Sequence, residues 1–99
     1  MNLINLKSKK VFITGGTAGI GLSILESFYK LEADIFTIGT NVENLKTIQS
    51  NFPKIKTSNF NLENHQEIEG LVKEAKEKLG GLDIVINNAG ITKDNLAIR

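Results

Sequence analysis

A glycine-rich stretch near the amino terminus has the residue types and spacing of an anion-binding turn. It reads Thr14-Gly15-Gly16-Thr17-Ala18-Gly19-Ile20-Gly21, with the apolar run Val11-Phe12-Ile13 before it and an amphipathic stretch after it. A strand that enters such a turn and leaves as a helix brings backbone N–H groups and the positive end of a helix dipole to one point. The glycines allow positive φ and close approach of backbone to phosphate. The stretch predicts a site for the pyrophosphate of a dinucleotide, although its Gly-x-x-x-Gly-x-Gly spacing is not the usual Gly-x-Gly-x-x-Gly. Taken alone, it is also consistent with a glycine-rich loop that binds nothing.

A second set of small and amide residues, Asn87-Asn88-Ala89-Gly90, directly follows the apolar run Ile84-Val85-Ile86. Small residues at the carboxyl end of a strand let a nucleotide lie against the backbone, and Asn side chains offer both donors and acceptors. By themselves these four residues are equally consistent with an ordinary turn. Their place at the end of a predicted strand favours a nucleotide site.

The chain alternates between strand-like and helix-like patterns. Strands are predicted at 10–14, 34–39, 55–60 and 83–86, and helices at 20–31, from 41 to about 51, and over the apolar stripe of 68–79. Asn41 can cap the second helix, Pro53 closes it, and Gly80-Gly81 supplies a left-handed stop after the third. The first helix is expected to present Ile20, Ile24, Leu25 and Phe28 on one face.

This βαβαβαβ order predicts the α/β class, with a Rossmann-type parallel sheet that carries helices on both faces and is incomplete at four strands. The consecutive apolar residues 84–86 indicate a strand covered on both faces, whereas the more polar third strand is expected toward one edge. A switch point is expected beside the first strand, where the glycine-rich turn meets the segment after the fourth. Residues 1–99 are therefore assigned to the N-terminal, cofactor-binding part of a single Rossmann-fold domain.

Composition narrows the classes of partner. The net charge is only +1 and no long block of like charge occurs, so neither a nucleic acid nor a membrane surface is expected as a partner. The absence of cysteine excludes disulfides and thiolate metal sites, and no other metal-ligand cluster is seen: Glu63 and His65 are expected to face solvent. The first six residues are too short an apolar run for a secretion signal, which makes a cytoplasmic protein the default.

Together the two motifs resemble those of the short-chain dehydrogenases/reductases. The residues that carry the resemblance are Thr14-Gly15, Gly19-Ile20-Gly21, Asp83 and Asn87-Asn88-Ala89-Gly90, and it covers essentially the whole chain, which looks like the N-terminal half of such an enzyme. The stretch from Asn87 to Leu96 further resembles the 3-oxoacyl-acyl-carrier-protein reductases of bacterial fatty-acid synthesis. The resemblance implies an oxidoreductase that uses a dinucleotide to reduce a 3-oxoacyl thioester, carried on acyl-carrier protein, to the 3-hydroxyacyl form.

The resemblance also implies which residues contact the cofactor. Those assigned to the pyrophosphate and ribose are Gly15, Gly16, Thr17, Ala18 and Ile20, within the turn that Gly19 and Gly21 complete. Asn61 and Leu62 would border the adenine, and Asn88, Ala89 and Gly90 would lie against a ribose. Asn87 is expected instead to brace the central strands.

Cofactor choice depends on the end of the second strand. An acidic residue there would bind the adenosine 2′-hydroxyl and select NAD, but this chain has Gly39-Thr40-Asn41. NADP is therefore favoured over NAD, with Thr40 nearest the 2′ position. Two departures bear on this choice: the family's frequent Arg before the second motif glycine is Ala18 here, and its usual Asp after the third strand is Asn61.

The family's catalytic Ser, Tyr and Lys have no counterparts in the chain, so no catalytic residue is assigned and enzyme activity of the chain itself stays open. Tyr29 is its only tyrosine and is expected to pack in the core, with Lys30 beside it rather than four residues later. Lys93 and Asp94 are expected to open a surface helix. Three hypotheses follow: the cofactor-binding half of a longer reductase, a truncated and inactive remnant that still binds nucleotide or a partner through its open sheet edge, or an unrelated flavodoxin-like or receiver module. The third is disfavoured because no acidic cluster follows the first strand.

Family members are usually tetramers, but no residue of this chain indicates its own oligomeric state.

Overall fold

Seven elements alternate along the part of the chain that the computed structural model describes, residues 5–61 and 66–88. The strands are β1 (Lys10–Thr14), β2 (Asp34–Gly39), β3 (Lys56–Asn59) and β4 (Ile84–Asn87), and the helices are α1 (Gly19–Lys30), α2 (Val42–Asn51) and α3 (Gln66–Leu79). The bounds of the first two strands match the predicted ones, because an apolar run meets a glycine at each carboxyl end.

The sheet is parallel, with the strand order β3-β2-β1-β4. The predicted α/β, Rossmann-type arrangement is therefore confirmed, as is the edge position of β3. The order reverses at β1, which has β2 on one side and β4 on the other. In the register, Ile13 lies opposite Thr37 of β2, and Thr14 lies opposite Asn87 of β4. The carboxyl ends of β1 and β4 thus meet, as expected of a switch point.

Two apolar clusters lie on opposite faces of the sheet because alternate strand residues point to opposite sides. Leu25 of α1 and Ile48 of α2 pack with Val11 and Ile13 on one face. On the other face, α3 packs against Phe12 and Phe36, whose ring centroids are 5.2 Å apart, and against Val85; the α3 residues in this cluster are Leu71, Ala75 and Leu79. Ile86 belongs to the first cluster, so β4 is covered on both faces as its apolar run predicts.

The helix ends follow the capping signals in the sequence. Asn41 caps α2, its side-chain oxygen accepting a hydrogen bond from the backbone N–H of Asn44 at 3.1 Å. Gly80 and Gly81 take φ of 78° and 152°, and the N–H of each bonds to the carbonyl of Lys76 at the end of α3. The predicted left-handed stop is confirmed.

Three predicted details differ from the structure. Ile20 does not pack on the sheet with the other apolar residues of α1; its side chain is 74% exposed, because the first turn of the helix lies beyond the end of β1. The third strand is shorter than predicted, since the N–H of Ile55 closes a turn onto Phe52 at 3.0 Å. The fourth begins and ends one residue later than predicted.

The remaining sequence expectations concern packing and surface residues. Tyr29 is half-buried and packs edge-on against Phe52, with ring centroids 5.0 Å apart, which is the packing role expected of it. Glu63, His65, Lys93 and Asp94 lie outside the described residues. Within 5–61 and 66–88, no helix is long and apolar enough to cross a membrane. Over the same residues, no three His, Cys, Asp or Glu side chains group closely enough to hold a metal ion.

Candidate cofactor-binding site

The turn between β1 and α1 has the backbone geometry that its glycines predict. Gly15 and Gly19 take φ of 68° and 59°, in the left-handed region that side chains with a Cβ disfavour. Ala18 precedes the helix in extended conformation, and no side chain caps the helix there. No acidic residue lies in the first turn of α1 either. The positive end of the helix dipole therefore meets no negative charge within its own first turn.

Two further glycines allow this turn to pack closely. A Cβ on Gly21 would lie 1.9 Å from the carbonyl oxygen of Gly15 and 2.7 Å from Nδ2 of Asn88. A Cβ on Gly16 would lie 2.6 Å from Oγ1 of Thr37 and 3.0 Å from Cδ1 of Leu25. Real Cβ atoms do not approach other atoms so closely. The helix start, the turn and the sheet can therefore come together only because positions 16 and 21 carry no side chain.

Thr14 connects the glycine-rich turn to the end of β4. Its buried hydroxyl donates a hydrogen bond to Oδ1 of Asn87 at 3.0 Å and accepts one from the backbone N–H of Asn88 at 2.7 Å. The Asn87 side chain therefore holds β1 and β4 together, which is the bracing role expected of it from the sequence. The Asn88 side chain packs instead against Gly21 at the start of α1.

An open cleft of about 240 Å³ lies at the carboxyl edge of the sheet. Every strand contributes to it; the lining residues are Gly15 and Thr17 after β1, Ile38, Gly39 and Thr40 at the end of β2, Phe60 and Asn61 after β3, and Asn88 after β4. No lining side chain carries a charge. The volume is below the roughly 300–1,000 Å³ of typical ligand pockets, so the cleft fits one part of a dinucleotide rather than the whole. Gly15 and Thr17 belong to the glycine-rich turn, so the cleft adjoins that turn.

The structure separates the predicted site residues into three groups. Those that line the cleft are Gly15, Thr17, Thr40, Asn61 and Asn88. Those that shape the turn or the start of α1 without lining the cleft are Gly16, Ala18, Gly19, Ile20 and Gly21. Leu62, Ala89 and Gly90 lie outside the described residues.

Sequence reasoning missed three lining residues, namely Ile38, Gly39 and Phe60. The backbone N–H of Phe60 donates to the carbonyl of Gly39 at 2.9 Å, which continues the pairing of β2 and β3 to the cleft. A Cβ on Gly39 would lie 2.9 Å from Cγ2 of Thr17, so this glycine lets the end of β2 approach the turn. The signal that could have found them is position, because the carboxyl ends of parallel strands share one edge of the sheet.

Known proteins are similar in sequence to this chain over the same elements. Two similar curated proteins are nodulation protein G of Rhizobium sp. (strain N33), 37% identical over 98 residues, and the 3-oxoacyl-[acyl-carrier-protein] reductase FabG of Rickettsia bellii, 38% identical over 98 residues. Each match covers 98% of this chain, and 40% and 39% of the respective relatives. The chain thus spans about two fifths of their length.

A solved structure shares the fold as well as the sequence similarity. It is a short chain dehydrogenase from Bacillus anthracis, with a TM-score of 0.72 and 31% sequence identity; the match covers 84% of this chain and 36% of that one. The family model described as short chain dehydrogenase matches residues 9–98, which include both motifs and all seven elements. This chain therefore belongs to the short-chain dehydrogenase family.

Proposed function

We propose that this chain binds a nicotinamide dinucleotide at the glycine-rich turn and the adjoining cleft, as the cofactor-binding part of a reductase. The observation that carries the proposal is the close approach of Gly21 to Gly15 and Asn88, which brings an uncapped helix start beside the cleft. Backbone N–H groups at such a helix start suit a pyrophosphate. The neutral hydroxyl and amide side chains of Thr17, Thr40 and Asn88 suit a ribose.

NADP is the proposed form of the dinucleotide. At the end of β2, where a carboxylate would bind the 2′-hydroxyl of NAD, the chain has the exposed Thr40. The next residue, Asn41, uses its side-chain oxygen to cap α2. No negative charge lines the cleft to repel a 2′-phosphate. Leu62, Ala89 and Gly90, which lie outside the described part of the chain, are also proposed to contact the cofactor.

For the intact reductase, we propose reduction of a 3-oxoacyl thioester, held on acyl-carrier protein in the cytoplasm, to the 3-hydroxyacyl form. The support is the similarity to proteins named 3-oxoacyl-[acyl-carrier-protein] reductase, among them one from Rickettsia bellii at 38% identity. The nicotinamide ring supplies the hydride for such a reduction. The residues of this chain bind and orient the dinucleotide, and no residue of this chain is proposed to transfer a proton.

A binding titration of NADPH against the 99-residue chain, followed by NADPH fluorescence, tests the first part of the proposal. Gly21→Ala is expected to reduce affinity by more than about tenfold, because its Cβ would meet the backbone of Gly15 and displace the turn. Gly70→Ala is the matched control. It also adds one methyl to a helix, but at a position where a Cβ meets nothing within 4 Å, so its affinity should equal that of the wild type.

A second variant keeps the test decisive if Gly21→Ala does not fold. Ile20 is exposed at the start of α1, so Ile20→Glu should fold and even gain stability, because a carboxylate near a helix N-terminus is favourable. The same charge would repel the pyrophosphate, so affinity for NADPH should fall while the midpoint of thermal unfolding stays or rises. Ile20→Gln controls for the change of shape. Unchanged affinity in Ile20→Glu would reject the proposed site, and no NADPH binding by a folded wild type would reject the proposed function.

A further inference from the structure

Thr37 is a polar residue in the centre of the sheet. It lies on β2 between the buried Phe36 and Ile38 and is fully buried itself. Among the described residues, Thr14 is the one other buried polar side chain. Thr14 joins β1 to β4. Thr37 takes no part in that contact, so its buried hydroxyl needs an explanation of its own.

The hydroxyl of Thr37 contacts the backbone on both sides of the point where β1 becomes the turn. It donates a hydrogen bond to the carbonyl oxygen of Ile13 at 2.6 Å. The same oxygen lies 2.6 Å from the position that a Cβ on Gly16 would occupy, so it packs directly on that glycine. One side-chain atom therefore holds the last part of the strand and supports the second glycine of the motif.

Sheet packing by itself does not require a hydroxyl here. The neighbouring residues of β2 are apolar, and burial of a hydroxyl costs free energy unless a hydrogen bond compensates for it. A methyl group in place of the oxygen could not stand 2.6 Å from the carbonyl oxygen of Ile13. The oxygen is thus suited to this close contact with backbone in a way that a carbon atom is not.

We propose that Thr37 is a positioning residue for the dinucleotide site, setting the place of the glycine-rich turn through its hydroxyl. The inference rests on the proposed function, since the turn is the proposed pyrophosphate site. Backbone donors must be held to within about 0.5 Å to bind a ligand well. Thr37 supplies this restraint from β2, without touching the cofactor.

A pair of variants isolates the hydroxyl. Thr37→Ser keeps the oxygen and loses the methyl group, whereas Thr37→Ala loses both, so the two differ by the hydroxyl alone. Thr57 is the matched control because it lies opposite Thr37 in the register, on β3 and away from the turn. Thr57→Ser and Thr57→Ala repeat the same chemical changes there. If Thr37→Ala does not fold, Thr37→Val takes its place: it keeps the volume but sets a methyl group against the Ile13 carbonyl oxygen, so the turn should shift and the affinity for NADPH should fall as in Thr37→Ala.

Two quantities are measured for each variant of the full chain: the dissociation constant for NADPH, and the amide hydrogen-exchange rates of residues 15–17 without ligand. Thr37→Ala should bind NADPH at least fivefold more weakly and exchange at least fivefold faster in the turn. Thr37→Ser should stay within about twofold of the wild type in both, and the Thr57 variants should match the wild type.

Two results would overturn the inference. One is a Thr37→Ala variant that loses stability but keeps wild-type affinity and wild-type exchange in the turn, which would mean a merely structural residue. The other is equal impairment in Thr37→Ser and Thr37→Ala, which would assign the effect to the methyl group. If the wild type does not bind NADPH, the proposed function fails, but the exchange rates still decide whether the hydroxyl holds the turn.

Discussion

The backbone N–H of Asn88 donates a hydrogen bond to the hydroxyl of Thr14 across 2.7 Å, although the two residues are 74 positions apart in the chain. The same hydroxyl donates to the Asn87 side chain at 3.0 Å. Thr14 opens the glycine-rich motif, and the two asparagines open the second motif. Parallel pairing of β1 with β4 brings the motifs together, and Thr14 then joins them through one oxygen atom.

Loss of this oxygen should lower stability. Thr14→Val leaves the Asn88 N–H and the Asn87 side-chain oxygen without their threonine partner, and an unsatisfied buried polar group costs about 1–3 kcal/mol. Urea unfolding followed by circular dichroism measures the change. Thr14→Ser keeps the hydroxyl and should lose clearly less. An unfolding free energy of Thr14→Val equal to that of the wild type would contradict the importance of this contact.

A single charge at Thr40 should change the choice between the two dinucleotides. Thr40→Asp should weaken NADPH binding by about tenfold or more relative to NADH, because like charges about 4 Å apart near a protein surface repel by roughly 1–4 kcal/mol. Thr40→Arg should move the ratio of the two dissociation constants the other way. Thr47→Asp is the control, because it adds the same charge on the exposed side of α2. There the Thr47 hydroxyl donates a hydrogen bond to the backbone carbonyl of Glu43. A ratio that shifts equally in Thr47→Asp would show a general charge effect rather than a contact at Thr40.

The cap of α2 should be measurable on its own. Asn41→Ala removes the side-chain oxygen that accepts from the Asn44 N–H, and loss of such a cap costs about 0.5–2 kcal/mol. Thermal unfolding is expected to shift to lower temperature in Asn41→Ala, and Asn41→Ser, which can still cap the helix, should restore most of the loss. Identical unfolding midpoints for all three proteins would mean that α2 does not depend on its cap.

Two glycines of the α3 region should respond in opposite directions to the same substitution. Gly70 is exposed inside the helix and an added Cβ meets nothing, so Gly70→Ala should stabilise the chain by about 0.4–1 kcal/mol. Gly80 has equally open space but a φ of 78°, and Gly80→Ala should destabilise the chain by about 1–2 kcal/mol because of left-handed strain. The two unfolding free energies, measured in urea, should therefore fall on either side of the wild-type value. Changes of the same sign would indicate that backbone conformation is not the deciding factor.

The regular elements could be predicted from local sequence to differing extents. The apolar runs of β1 and β2 end at glycines, and Asn41 and Gly80 carry capping signals that depend only on their own neighbours in the chain. The first residue of the polar β3 was harder to predict, because a turn onto Phe52 removes Ile55 from the strand. Ile20 has the helical spacing of a core residue but is exposed, since spacing along a helix carries no information about where the underlying sheet ends.

The amino-acid sequence by itself determined the order of elements, the parallel class of the sheet, the two motifs and the family to which they point. These depend on hydrophobic periodicity and on glycine conformation, both of which act over a few residues. Only the tertiary structure decided which residues line the cleft together and how Thr37 contacts the turn. Phe60, Gly39 and Asn88 lie at or just after the ends of three different strands, and a contact such as Thr37 to Gly16 depends on register and on sub-ångström packing across strands. Such distances are set by the assembled sheet, because no local pattern in the chain records them.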